Sequence, residues 1–371
     1  MKYFKVLQII IFGALLITAN AFAAGERIEY QLQDHDCHDA GYFKKQNLTG
    51  EDRSFTQLDN DIFWRGQLAK YRIRYTKWTP ARFNGNVIIY NHGFQSHRAW
   101  FNETGEQLSA LGYIVYAFDR IGSGCSSGGV SITFADRHGE VRRSIIRKRG
   151  HIASWQAFTH TIHLIKQLAK SENIGANLHL WANSYAAGLV TAYIEEYKPT
   201  DLDSVVFTSP GLFSKLPLPF SIEDLIISDP GTFFESIIPE SDGDQGAAYF
   251  TSDPIYYDAI KKDKKSLRYV TREFYFNTSA LSEFVQINSG AAHSYLPNIR
   301  RFYLLVHQDP IMDNIKMMEY IRANSENAIA KIYEGGEDHR HYLLFTEDAF
   351  DVLSDIDRFF MGDTVHDRED L

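Results

Sequence analysis

Apolar positions fall into short runs along most of the chain, and two periods alternate. The segments NVIIYNHG (86–93), YIVYAFD (113–119), NLHLWANS (177–184), SVVFTSP (204–210), RRFYLLVHQD (300–309) and AKIYEG (330–335) are apolar runs of strand length, as expected of strands buried on both faces. YRIRYTKW (71–78) alternates like a half-buried strand. Helical spacing lies between them. SWQAFTHTIHLIKQLAKSE (154–172) sets Trp155, Phe158, Ile162, Ile165 and Leu168 near one face. RAWFNETGEQLSALG (98–112) stops at Gly112, a suitable C-cap. YAAGLVTAYIEEY (185–197), NIKMMEYIRANS (314–325) and EDAFDVLSDIDRFF (347–360) are the remaining helices. Strands alternating with helices predict an α/β fold, a mostly parallel sheet with helices on both faces. Its working residues belong at the carboxyl ends of the strands.

The alternation breaks between about residues 211 and 298, where Pro217, Pro219, Pro230, Pro239 and Pro254 sit among aromatics and mixed helical stretches. This reads as a cap over the carboxyl edge of the sheet, inserted before the last two strands. Residues 24–60 are polar and irregular and read as an N-terminal arm. Residues 61–371 then form one capped domain. The chain is 44% hydrophobic, enough for a full core, and its 14% aromatic share suits an apolar pocket.

The first 23 residues read as a signal peptide. Lys2 and Lys5 precede an apolar run from Val6 to Thr18, which ends at Ala21-Phe22-Ala23. The run is short for a membrane span, so an uncleaved anchor is the weaker alternative, and no cysteine at the cleavage site suggests a lipoprotein. The expected location is periplasmic or secreted. Cleavage takes the basic residues from 38 to 36 against 47 acidic ones, a balance of about −11. That excludes nucleic acid as the natural partner. The one basic cluster, RRSIIRKRGH (142–151), reads as a solvated loop and helix start, or as a transient contact with anionic head groups. Cys37 and Cys125 are a candidate disulfide in an oxidising compartment. DHDCH (34–38) lacks a second ligand pair at zinc spacing, so no metal is expected.

Ser184 closes one predicted strand and opens a helix, the setting of a nucleophile elbow. The usual flanking glycines are here Ala182 and Ala186, the next smallest residues. A helix N-cap is the plain alternative for this serine. A serine nucleophile needs a histidine to take its proton and an acid to orient that histidine. Asp309 follows a strand after the insert, with Asp313 as a competing acid that also reads as an N-cap. His339 and His341 follow the next strand, and loop length favours His339. The backbone N–H groups of Tyr185 and Phe94 are the expected oxyanion donors.

These residues bring a family into view. From about residue 63 to 360 the chain resembles α/β-hydrolases of the bacterial lysophospholipase and monoacylglycerol lipase (serine aminopeptidase-like) group. The resemblance rests on the His-Gly loop and first helix of HGFQSHRAWFNETGEQLSALG, the DRIGSGCSSG stretch, RGHIASWQAFTHTI, SVVFTSPGL and TSDPIYYD. It implies an ester hydrolase for lipid-like substrates, working through Ser184, Asp309 and the histidine without a metal or organic cofactor. Departures are Asn183 where the family often has His, Gln308 before the acid, and bulky Phe94 after His-Gly. Leu216, Leu218, Phe220, Phe233 and Phe234 of the cap are expected either to line an acyl pocket or to pack the cap. Glu337 and Asp338 keep a peptidase, which would bind a free amine, as an alternative alongside a small-molecule carboxylesterase. A non-catalytic binding protein is the third reading.

Overall fold

The computed structural model describes residues 49–363 apart from 65–66, 127–128, 136–140, 148, 153, 219, 229–231, 236–237, 239–243, 245 and 291. The signal peptide, most of the arm and Cys37 lie outside the described residues, and with them the expected Cys37–Cys125 disulfide.

The chain opens with an antiparallel pair, β1 (Glu51–Trp64) and β2 (Gln67–Trp78). There follow β3 (Asn86–Asn91), α1 (Asn102–Ala110), β4 (Ile114–Phe118), a hairpin of β5 (Gly129–Ala135) and β6 (Val141–Arg147), α2 (Gln156–Glu172), β7 (Asn177–Asn183), α3 (Ala186–Tyr197) and β8 (Ser204–Thr208). The cap segment contributes α4 (Ile222–Ile227), β9 (Phe233–Glu235), α5 (Pro254–Lys262), β10 (Tyr269–Thr271) and α6 (Arg272–Asn288). The last units are β11 (Arg300–Val306), α7 (Asn314–Ala323), β12 (Ala328–Tyr333) and α8 (Ala349–Met361).

Eight strands form the main sheet in the order β1-β2-β4-β3-β7-β8-β11-β12. The first two pairings are antiparallel, and every pairing from β4 onward is parallel. Alternate side chains of each inner strand feed opposite layers, which is why these strands read as continuous apolar runs. Val87 and Ile89 join Leu178 and Leu180 under α2 and α3, whereas Ile88 and Tyr90 join Trp181 under α1 and α8. The expected α/β-hydrolase architecture is therefore present, with the cap segment between β8 and β11. After β3 the chain adds β4 on one side and then β7 on the other. That reversal opens a crevice at the carboxyl ends of β3 and β7, where ligands bind in open α/β sheets.

Two segments differ from expectation. The end of the arm is strand β1, hidden in the sequence because an inward position is polar. Buried Gln57 donates to the Ala157 carbonyl at 3.0 Å and accepts from Thr161 Oγ1 at 2.6 Å, both on α2. The basic cluster is not a loop and helix start: residues 142–147 belong to β6, paired with β5, and α2 begins only at Gln156. Among the described residues no helix is long and apolar enough to cross a membrane.

Candidate active site

Ser184 sits between β7 and α3 with φ at +52°. A non-glycine residue there is disfavoured by about 1–2 kcal/mol. Three backbone hydrogen bonds, each worth about 1 kcal/mol net, hold it: Ser184 N–H to Thr208 O at 2.9 Å, and Ala187 and Gly211 N–H to Ser184 O at 2.8 Å each. Ala182 and Ala186 are fully buried. The tightest approaches to the turn come instead from neighbouring loops. A Cβ on Gly211 would meet the Ser184 carbonyl carbon and the Tyr185 nitrogen at 2.7 Å, and one on Gly93 would meet Ser184 Cβ at 3.2 Å. Glycine is needed where other chain segments cross the elbow, so alanine suffices on its flanks.

His341 Nε2 lies 2.8 Å from Ser184 Oγ, and His341 Nδ1 lies 2.7 Å from Asp309 Oδ2. An ionised carboxylate only accepts, so Nδ1 carries the proton and Nε2 faces the serine with its lone pair. Asp309 Oδ1 accepts from the N–H groups of Ile311 at 2.8 Å and Met312 at 3.0 Å, which fixes the carboxylate plane. Gln308, at φ +53°, makes a left-handed turn directly before the acid. His341 itself is anchored through its backbone: its N–H donates to Tyr249 O of the cap at 2.9 Å, and its carbonyl accepts from Ser209 Oγ at 2.6 Å. All three side chains are buried, Ser184 retaining 8% exposure.

This corrects the choice of histidine. His339 points away, its Nδ1 3.0 Å from the Glu334 carbonyl. Gly335 and Gly336, at φ +73° and +75°, fold the chain into a tight turn closed by Arg340 N–H to Gly335 O at 2.7 Å. The turn consumes residues that a simple loop would spend on reach, so the chain returns to the crevice only at His341. Asp313 does not compete with Asp309, because its carboxylate caps α7 by accepting from Lys316 N–H at 3.2 Å.

Arg120, which sequence reasoning passed over, organises the loop after β3. Its Nη2 donates to the carbonyls of Gly93 at 2.7 Å and Phe94 at 2.8 Å. His92 Nε2 accepts from Arg120 N–H at 3.0 Å, so His92 Nδ1 is the protonated nitrogen and donates to Gly93 O at 2.8 Å. Burial, and then the nearby Arg120 charge, hold the His92 pKa well below its ordinary value, so it stays neutral. Burial brings Arg120 down to about 10, still cationic near neutrality. The Gly93 carbonyl and the Phe94 N–H belong to one peptide group. Two donors on that oxygen fix the plane of the peptide and polarise its N–H, the expected oxyanion donor. The Arg120 guanidinium lies 4.9 Å from the Tyr185 ring, and Phe94 packs edge-on against Tyr185 at 5.5 Å and Phe274 at 5.3 Å. The bulk of Phe94 is thus absorbed into the cap contact. In the sequence Arg120 stands within the DRIGSGCSSG stretch that carries the family resemblance, with no role attached to it.

That Asp, Asp119, accepts from Arg98 N–H and Cys125 N–H at 2.8 Å each. Gly124, at φ +51°, leaves room for it: a Cβ there would meet the carboxylate at 2.4 Å. A second buried acid ties the same region to the cap. Asp263 accepts at 2.8 Å from both His97 Nε2 and Trp100 Nε1. Despite the cost of burial, His97 and these hydrogen bonds hold its pKa far below the ordinary carboxylate range. A depressed carboxyl stabilises the fold fully above its unfolded pKa of about 3.9 and loses that contribution as the pH falls below it. Urea unfolding will show a stability gap between wild type and Asp263→Asn that narrows from pH 4 to 3. A gap that stays constant down to pH 3 would remove Asp263 from the acid response.

Of the five apolar cap residues, Phe220 and Phe234 pack against one core cluster and Leu216 against the other. Phe220 packs on Phe234 at 4.6 Å and on Tyr275 at 4.8 Å. Phe233 pairs through β9 with Thr271. Leu218 is 45% exposed. Glu337 and Asp338 face solvent, Asp338 paired to Arg340 at 2.9 Å.

Comparison with known proteins gives the family. A family model described as serine aminopeptidase, S33, matches residues 84–348. A monoacylglycerol lipase of Mycolicibacterium smegmatis is 24% identical over 141 residues, which is 38% of this chain and 43% of that protein. The chain thus spans less than half the length of that curated relative. Among solved structures, a soluble variant of Saccharomyces cerevisiae monoglyceride lipase in complex with a substrate analog aligns with TM-score 0.64 at 17% identity, over 88% of this chain and 99% of that one. The Paleococcus ferrophilus monoacylglycerol lipase aligns with TM-score 0.58 at 17% identity, over 78% and 98%. Those identities carry the fold, and the match over residues 84–348 carries the family: this chain belongs to the serine aminopeptidase S33 family of α/β-hydrolases.

Proposed function

We propose that this protein is an exported serine hydrolase that cleaves carboxylic esters of lipid-like molecules, a lysophospholipid or a monoacylglycerol. The observation that carries the reading is the continuous chain of hydrogen bonds from Asp309 through His341 to Ser184. Ser184 Oγ attacks the ester carbonyl as His341 Nε2 takes its proton. Asp309 steadies the imidazolium, and the Phe94 and Tyr185 N–H groups hold the oxyanion. His341 returns the proton to the leaving alkoxide. Water then attacks the acyl enzyme, losing a proton to His341, which passes it to Ser184 as the acid departs. The lipid preference is supported by the monoacylglycerol lipase relative and by apolar residues that the cap presents to solvent. Leu218, Ile222 and Ile227 are 45%, 46% and 75% exposed, a surface suited to transient contact with a lipid interface. Export rests on the signal-peptide pattern of residues 1–23.

The test uses mature protein and a fluorophosphonate probe. Wild type will label and Ser184→Ala will not, and a panel of lysophospholipids, monoacylglycerols, short esters and aminoacyl amides will give its highest kcat/KM with a lipid ester. A folded wild type that takes no label overturns the hydrolase reading. Preference for short esters or for amides moves it to a carboxylesterase or a peptidase.

A further inference from the structure

The displaced His339 belongs to a second cluster. His307 begins the loop after β11, and Glu334 and His339 lie in the loop after β12. One donor atom from each of the three lies within 4.8 Å of the other two. His307 Nδ1 is 3.3 Å from Glu334 Oε2, and His339 Nδ1 is 3.7 Å from the same oxygen. In a tetrahedral zinc site with bonds of about 2.0–2.1 Å, neighbouring ligand atoms stand about 3.3–3.5 Å apart. The two imidazoles therefore already flank the carboxylate at ligand-to-ligand spacing. His307 Nδ1 is enclosed and makes no hydrogen bond, although the carboxylate oxygen is so near. A cation between the two atoms would satisfy both. His339 would exchange its 3.0 Å contact with the Glu334 carbonyl for the metal.

The frame around the cluster is firm. His307 N–H donates to Tyr333 O at 2.7 Å, and Gly335 N–H to Asp348 Oδ2 at 2.6 Å. Two imidazoles and one carboxylate select a borderline cation such as Zn²⁺ over Mg²⁺ or Ca²⁺, which prefer all-oxygen shells. The partial exposure of all three side chains leaves room for water at the remaining position.

We propose that His307, Glu334 and His339 form a binding site for one zinc-class divalent cation that ties the loop after β11 to the loop after β12. These loops also carry Asp309 and His341, so the cation would brace the acid and base of the neighbouring site from behind. The proposal does not depend on the hydrolase reading, since its readout is metal binding.

The experiment takes untagged mature protein, stripped with chelator, and titrates it with ZnCl₂ by calorimetry and thermal melting. One equivalent of zinc will bind and raise the Tm, whereas MgCl₂ and CaCl₂ will not. His307→Ala, Glu334→Gln and His339→Ala will each weaken zinc by at least about tenfold, while a Cys37→Ser/His38→Ala double variant will bind as wild type does. The circular dichroism spectrum of each variant establishes that it is folded. Absence of stoichiometric binding to wild type overturns the proposal. So does binding that survives in the three variants or vanishes in the Cys37/His38 pair.

Discussion

His341→Ala will lose esterase activity by on the order of 10⁴-fold or more, while His339→Ala, assayed with chelator present, will stay within a few-fold of wild type. The two histidines are two positions apart, yet only one reaches Ser184 Oγ, at 2.8 Å, and backs onto Asp309 at 2.7 Å. Removing it leaves the serine proton without an acceptor and leaves the buried Asp309 carboxylate without its side-chain partner. His339 spends its nitrogen on the outer turn. Steady-state rates on one lipid ester, with fluorophosphonate labelling as a second readout, decide the matter. Equal losses in the two variants would mean that the turn at Gly335–Gly336 rearranges when substrate binds.

Arg120→Met will lower kcat about 10²-fold with little change in KM, the size expected when one oxyanion donor is misplaced. The methionine keeps the aliphatic bulk but cannot donate to the Gly93 and Phe94 carbonyls. His92 still holds Gly93 O, so the loop stays close to its place while the Phe94 peptide loses its second anchor. The rate of fluorophosphonate labelling per folded molecule separates this role from simple destabilisation, which would lower the active fraction, and with it the apparent kcat, without slowing the labelling of the folded molecules. Arg120→Lys will recover little, because an ammonium on a flexible stem does not reproduce the planar guanidinium that spans two carbonyls and lies over the Tyr185 ring.

The parts of this molecule that announce themselves in sequence are those fixed by burial. The inner strands of the sheet read as apolar runs because both of their faces are covered, and Ser184 stands out because a buried strand gives way to small residues and a helix. What stays hidden is set by hydrogen bonds. Strand β1 is obscured by Gln57, whose amide is satisfied by α2. The choice between His339 and His341 turns on how many residues a double-glycine turn consumes, which periodicity does not record. Arg120 acts through carbonyls of another loop, a contact that leaves no spacing rule behind. The five apolar cap residues stay open in sequence between lining an acyl pocket and packing the cap, because composition marks apolar character without direction.

The placement of the site across the sheet has a consequence for the order in which the chain becomes competent. Ser184 leaves the middle of the sheet, whereas Asp309 follows β11 and His341 follows β12, the edge strand on that side. A chain that has assembled everything up to β8 possesses the serine in its strained turn but neither the proton acceptor nor the acid. Reactivity therefore arises only when the final two strands dock. The serine stays chemically quiet until that docking, and an activity-based probe applied during refolding would time the last docking event rather than the first collapse.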